Sequence, residues 1–414
     1  MKYEKIYTIL TLLVIAISGN PLMGVLGKET IYIGTLMIFL LLWWFKPQNL
    51  SRQDMLVFAL FFLLTITHML SFGLMVVVAS LGFLIKLCIA LLAVRLIPEF
   101  SRRYVSLMYL LSLISLIFFI PSWFGVDLES LFSPISFSFR HSYISILGIY
   151  YFFSGNVGDD LNRNGGFFWE PGAFAGYLIL ALLFLISRQR NKSIFSKQGL
   201  VMIFALLSTQ STTGYLAFIV LVVFYLYKTF WVGMKGVKRM LVFPVLIAVF
   251  TAGTYAAINE ASFLGEKISG QLETATEGTS ASRINRIGNF LYDLDWIAQK
   301  PMFGWSATQA TRALIDTEVD DLVNGQGNGL TGFTVRFGLV GLFILIGFIT
   351  YTTWRLSGSL IASLFGVVIV CMLLNGEQFL NFPMFLSLMF LPQKKSKSLS
   401  VLPVAVARKT SFAG

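Results

Sequence analysis

The chain has 414 residues, of which 56% are hydrophobic and only 12% charged, with 40 phenylalanines; no soluble domain of this length can hide that much apolar surface. The formal net charge of +11 comes without a nucleic-acid module, so it reads as a membrane-topology signal. With two histidines a His-rich metal site is excluded, and Cys88 and Cys371 stand alone in apolar runs as packed residues rather than a disulfide or metal pair.

In chain order, apolar runs predict spans at about 6–19, 30–45, 55–71, 74–94, 105–120, 172–187, 199–210, 214–230, 240–258, 334–354, 358–374 and 378–391. Their lengths suit a hydrocarbon core of about 30 Å. The expectation is an all-α polytopic membrane protein with about 12 transmembrane helices and two long extracytoplasmic segments. Met1 to Ser18 reads as a first span and not as a cleavable signal.

An apolar piece at 142–153 decides the sidedness, because counting it as a span would reverse everything after it. With that piece not crossing, the cytoplasmic segments collect 21 of the 31 basic residues against three acids, Glu4, Asp54 and Glu99. Such a bias is what the positive-inside rule asks for. Both termini are then expected in the cytoplasm, and 142–153 is expected to lie in the interface or pack on the bundle. The chain divides into N-terminal helices (1–120), a first outer segment (121–171), helices with a short re-entrant-like pair (172–258), a second outer segment (259–333), C-terminal helices (334–391) and a basic tail (392–414). The second outer segment is expected to form a few helices docked on the bundle.

Arg163-Asn-Gly-Gly-Phe-Phe-Trp-Glu170-Pro-Gly-Ala-Phe-Ala-Gly-Tyr177 closes the first outer segment and runs into an apolar helix. Charges at the mouth of a membrane helix are costly unless they meet each other, water or a substrate. The plainer alternative is helix-start chemistry: an acid and then proline at the first turn. In the pair 199–210 and 214–230 the first member is short for a span, and the turn between them, Ser208-Thr-Gln-Ser-Thr-Thr-Gly214, places hydroxyls and a helix N-terminus together. That suits an anion through Ser211 and Thr212, or simple capping by either. Arg283 and Arg286 would share one helix face, suiting a diphosphate or pairing with Asp293 or Asp295. His68 reads as a satisfied residue within its helix.

Together these segments resemble a known family. Arg163…Gly166-Phe-Phe-Trp-Glu-Pro-Gly resembles the first periplasmic signature of bacterial O-antigen and capsule polymerases of the Wzy type, in the O-antigen polymerase/ligase superfamily. Thr209-Gln-Ser-Thr-Thr-Gly214, Ser282-Arg283…Pro301-Met-Phe-Gly304 and Phe337-Gly-Leu-Val-Gly341 resemble later signatures in the same order. The resemblance covers roughly 160–345. It departs from the pattern of some members, an Arg followed eleven residues later by Gly, at Arg163, Arg283 and Arg286.

The resemblance implies a membrane-embedded, GT-C-like glycosyltransferase in the bacterial cytoplasmic (inner) membrane, inverting, without metal or other cofactor. Its substrates would be undecaprenyl-diphosphate-linked oligosaccharides. A hydroxyl of one lipid-linked repeat attacks the anomeric carbon of the growing glycan, and undecaprenyl diphosphate leaves. Expected partners are membrane lipid, a Wzz-type chain-length regulator and the flippase of the same pathway, with no nucleic acid. Under this reading Arg163, Arg283 and Arg286, then Arg140 and Arg336, would hold diphosphate, and Glu170, then His141, would take the proton, the alternative for Glu170 being to position Arg163 or a sugar hydroxyl. Related ligases, which move glycan to a lipid A core or protein, carry a His-Asn pair where this chain has Gly327-Asn328. A flippase would be expected to keep ionisable groups near mid-membrane, where only Lys86 and His68 fall.

Overall fold

The computed structural model describes residues 2–132, 136–139, 143–146, 148–153, 163–188, 194–231, 248, 286–313 and 328–391. These are mostly helical. Helices α1 (Lys2–Gly19), α2 (Lys28–Phe45), α3 (Arg52–Phe72), α4 (Val77–Leu96) and α5 (Phe100–Trp123) fall on the first five predicted spans. After a small sheet come α6 (Pro171–Arg188), α7 (Lys197–Ser208), α8 (Thr212–Leu226), α9 (Arg286–Gln299), α10 (Gly329–Ser357) and α11 (Leu360–Gly376). The predicted span at 240–258 lies outside the described residues, apart from position 248.

Among the described residues, four stretches are long and apolar enough to cross a membrane: Arg52–Leu96, Phe100–Trp123, Thr212–Thr229 and Gly329–Ser357. Their outward faces carry Leu70, Leu74, Val78, Ile117 and Phe343, all strongly exposed. Water would not tolerate such a belt, so the chain is membrane-embedded. Helix α6 is different. From Ala173 to Leu182 its apolar side chains are buried on every side, as befits a helix apolar all round at the centre of a bundle.

Polar contacts gather at the two ends of the bundle. At one end, Arg95 clamps Asp54 through two bonds of 2.8 and 2.5 Å and also donates to the Phe390 carbonyl at 3.0 Å. Asp54 itself completes a capping box with Ser51 at the start of α3. Arg103 meets Glu4 at 2.7 Å at the same end. Four of the residues assigned by charge to one side, Glu4, Asp54, Arg95 and Arg103, thus pair with one another.

At the other end sits the first outer segment. Its apolar piece is not helical: β1 (Ser136–Phe139), β2 (Tyr143–Ile146), β3 (Tyr150–Phe153) and β4 (Arg163–Asn164) form an antiparallel sheet in the order β1-β2-β3-β4. Runs of Phe, Tyr, Ile and Ser favour strands over helix. The sheet is tied to the bundle by Asn20, which donates to the Gly148 and Phe167 carbonyls at 2.8 and 3.1 Å and accepts from the Tyr151 hydroxyl at 2.8 Å.

The last predicted span, 378–391, is corrected. It is not one helix: Phe379–Asn381 is a short turn, Phe382 is extended, and Pro383–Leu386 runs on into the tighter turn Ser387–Phe390. Pro383 cannot donate into a preceding turn. Buried from Pro383 to Leu391, this segment packs inside the protein, a setting in which a break in helical backbone is tolerated.

A further break lies within α10, where Gly338 has φ 67 and ψ −175. The loop after α9 fills the gap. Trp305 and Ser306 donate to the Val335 and Arg336 carbonyls at 2.8 and 2.9 Å, and Leu339 and Val340 donate to the Pro301 and Met302 carbonyls at 2.8 and 3.1 Å. The groups released by the kink thus find partners in the loop. His68 bonds the Phe303 carbonyl at 2.7 Å through Nε2, so its partner is this loop and not its own helix.

Candidate functional site

Three helix N-termini meet at the sheet end. Glu170 precedes Pro171 of α6, and its carbonyl accepts from the Phe174 amide at 3.1 Å. Ser211 caps α8, its side chain accepting from the Gly214 amide at 3.2 Å. Asn328 caps α10, accepting from the Leu330 and Thr331 amides at 3.2 and 3.3 Å. The end of α11 joins them: Asn328 donates to Asn375 at 2.6 Å, and a Cβ at Gly376 would stand 2.6 Å from Thr213 Cγ2. Converging N-termini bring their positive dipole ends to one place.

A narrow recess opens there, lined by Asn328, Gly329, Gly332, Phe333, Arg336, Gln378, Leu380 and Asn381. A directed chain runs along its wall. Arg336 Nη1 donates to Asn381 Oδ1, and Asn381 Nδ2 donates to Gln378 Oε1 at 2.7 Å. This fixes both amides, so Gln378 presents its NH₂ group. Among the described residues the wall carries a guanidinium and no carboxylate, and suits oxygen acceptors.

Behind Arg336 lies a buried ionic cluster. Thr331 donates to Asp293 Oδ2 at 2.5 Å, and Arg312 and Arg336 both act on this carboxylate electrostatically. Burial nonetheless pushes the Asp293 carboxyl up from its ordinary 3.8 to about 6. Burial likewise pushes the Arg312 guanidinium down, against the pull of Asp293. Arg312 is 1% exposed and its Nη1 has no hydrogen-bond partner. Among the described residues two guanidiniums face one carboxylate here, a balance favourable to an anion above it.

The sequence-derived candidates divide sharply. Glu170, Arg336, Ser211 and Thr212 gather at this end. The Ser211 hydroxyl is occupied by its cap, while Thr212 Oγ1 is buried without a hydrogen-bond partner. Arg163 also lies here, but it is turned to the α7–α8 turn: Nε donates to the Thr209 carbonyl at 3.2 Å and Nη2 to that of Gln210 at 3.1 Å. It thereby satisfies carbonyls at a helix C-terminus. Arg140, His141 and Arg283 lie outside the described residues; Arg286 opens α9, and its side chain lies outside them too.

Sequence reasoning missed Glu377, Gln378, Asn381 and Arg312. The first three interrupt an apolar C-terminal stretch, and that interruption was the available signal. Arg312 gave none, because its partner lies far away along the chain.

No family model matches this chain, and no curated protein does.

Proposed function

We propose that this protein is an inverting, metal-independent glycosyltransferase that joins oligosaccharide repeat units carried on undecaprenyl diphosphate, a polysaccharide polymerase acting on the extracytoplasmic face of a bacterial cytoplasmic membrane. The observation that carries the reading is convergence. The segments that resemble the polymerase signatures are scattered over roughly 160–345, yet Glu170 and the Ser211 turn share one end of the bundle with Arg336, which lines the recess. The 301–304 and 337–341 segments interlock beside it.

In this reading the acceptor's hydroxyl oxygen attacks the anomeric carbon of the donor sugar, and Glu170 receives the hydroxyl proton. The bond from that carbon to the diphosphate oxygen breaks, and its electron pair leaves with undecaprenyl diphosphate. Arg336, the Gln378 amide and the buried cluster behind them offset the charge that develops on the leaving group. A fixed guanidinium does this without reorganising during the reaction.

The deciding experiment incubates the purified full-length protein with lipid-linked repeat units, with and without chelator, and reads the products on a gel. A ladder of polymer that survives EDTA is expected. Abolition by EDTA with restoration by Mg²⁺ or Mn²⁺ overturns the metal-independent reaction. Transfer only to a lipid A core or protein acceptor makes the protein a ligase. Transbilayer movement of repeats without any new glycosidic bond makes it a flippase.

A further inference from the structure

Resting on the glycosyl-transfer reading above, we propose that Glu377 holds the acceptor sugar by a hydroxyl neighbouring the one that attacks, and so sets which acceptors are used. Glu377 follows the last residue of α11 in extended conformation, φ −150 and ψ 159. Its backbone is pinned on both sides, with its amide donating to Leu373 at 3.2 Å and its carbonyl accepting from Phe379 at 2.8 Å. Gly329 of α10 presses on that carbonyl: a Cβ there would stand 2.1 Å from the oxygen. The side chain therefore has a fixed origin.

That side chain reaches toward Glu170. A Cβ on Gly172 would stand 2.9 Å from Glu377 Oε1 and 3.8 Å from Glu170 Oε1. The two carboxylates thus flank the bare backbone of Gly172, no further apart than those two distances combined. The next residue, Gln378, lines the recess with Arg336. Two chemistries lie side by side. Carboxylate oxygens accept hydrogen bonds, so the acid pair suits hydroxyl donors. The guanidinium and amide of the recess only offer donors toward an incoming group, so they select the diphosphate. A sugar placed over Gly172 can give one hydroxyl to Glu170 and an adjacent one to Glu377 with its leaving-group partner in the recess. Glu377 is then a positioning residue, because the proton of the attacking hydroxyl goes to Glu170.

The test uses the full-length protein in detergent with saturating lipid-linked donor, and acceptor repeat units in which single hydroxyls beside the attacking one are replaced by hydrogen. With the natural acceptor, Glu377→Ala should raise KM about 10-fold or more, the loss expected of a charge-assisted bond, and leave kcat within a few-fold. One deoxy acceptor should be poor for the wild type, and Glu377→Ala should no longer distinguish it from the natural acceptor. Glu377→Gln, which keeps an acceptor oxygen and the size, should fall between them and serves if the Ala variant does not fold. An equal deoxy penalty in wild type and variant, or an unchanged KM, overturns the role of Glu377 while leaving the polymerase reading intact. Failure of the wild type to join repeats at all overturns that reading and this proposal with it.

Discussion

Gly304 and Gly338 meet backbone to backbone where the loop after α9 crosses the break in α10. A Cβ on Gly338 would stand 2.1 Å from the Met302 carbonyl oxygen, and one on Gly304 would stand 2.6 Å from the Gly338 nitrogen. Gly338 also occupies a region of backbone space, φ 67 and ψ −175, that is essentially reserved for glycine. Backbone strain of about 1–3 kcal/mol adds to an overpacking cost of about 1–3 kcal/mol. Gly338→Ala should therefore lose more than about 2 kcal/mol on those figures, seen as a lower midpoint of thermal unfolding in detergent. An unchanged midpoint would mean that the loop does not sit in the break.

Asp293 makes stability depend on pH. Burial raises its folded pKa to about 6 from an ordinary 3.8, so the folded protein binds this proton more tightly than the unfolded chain. The benefit is complete below the unfolded value and is lost as pH rises through the folded one. At about 1.4 kcal/mol per unit, up to roughly 3 kcal/mol should disappear between about pH 4 and pH 6. Arg312 and Arg336 face the same carboxylate and stay charged across this window. Asp293→Asn keeps a partner for Thr331 and does not titrate, so its stability curve should lack that slope. Parallel curves for the two proteins would refute the assignment.

Arg163 is bonded to two carbonyls of the α7–α8 turn. Bonds from a charged donor are worth about 1.5–3 kcal/mol each. Arg163→Ala should lower stability by about 2 kcal/mol or more, and Lys should recover little, because an ammonium cannot span both carbonyls as the fork does. A variant as stable as wild type but unable to make polymer would move Arg163 from the turn to the substrate.

Glu170 stands at the start of the central helix beside Glu377. Glu170→Gln keeps the size and the helix start and removes the base. Polymerisation should slow at least about 100-fold, with binding of lipid-linked repeats and thermal stability preserved. If Gln is nearly as active as Glu while Ala is dead, Glu170 positions a hydroxyl and the proton goes elsewhere, with His141 the next base to examine. An active Ala variant would reduce Glu170 to helix-start chemistry.

Sidedness is tested by reporter tags. Labels at Asn191, Lys235 and the C-terminus should report the cytoplasm, and labels near Gly155 and Gly278 the opposite side. The basis is the 21-to-3 excess of basic over acidic residues under this assignment. Positions 155 and 191 on one side would reverse it.

Most helices were legible because apolar runs and their breaks are local signals: Ser51 with Asp54 starts α3, and the Ser208–Gly214 turn separates α7 from α8. The central place of α6 could have been suspected from its lack of any polar face. The sheet was hidden because four-residue apolar strands look like pieces of a helix when period is the only guide. The break at Gly338 was hidden because Phe337-Gly-Leu-Val-Gly341 has the composition of any membrane helix.

What the sequence determined by itself was membrane embedding and the approximate places of most described helices. Those follow from residue-by-residue transfer free energies, which need no partner. The candidate site was decided only by tertiary structure. Asp293 finds Thr331 across 38 residues, Arg336 finds Asn381 across 45, and Asn328 finds Asn375 across 47. Nothing local marks such pairs, because each exists only where buried polar groups, denied water, must satisfy one another between packed helices.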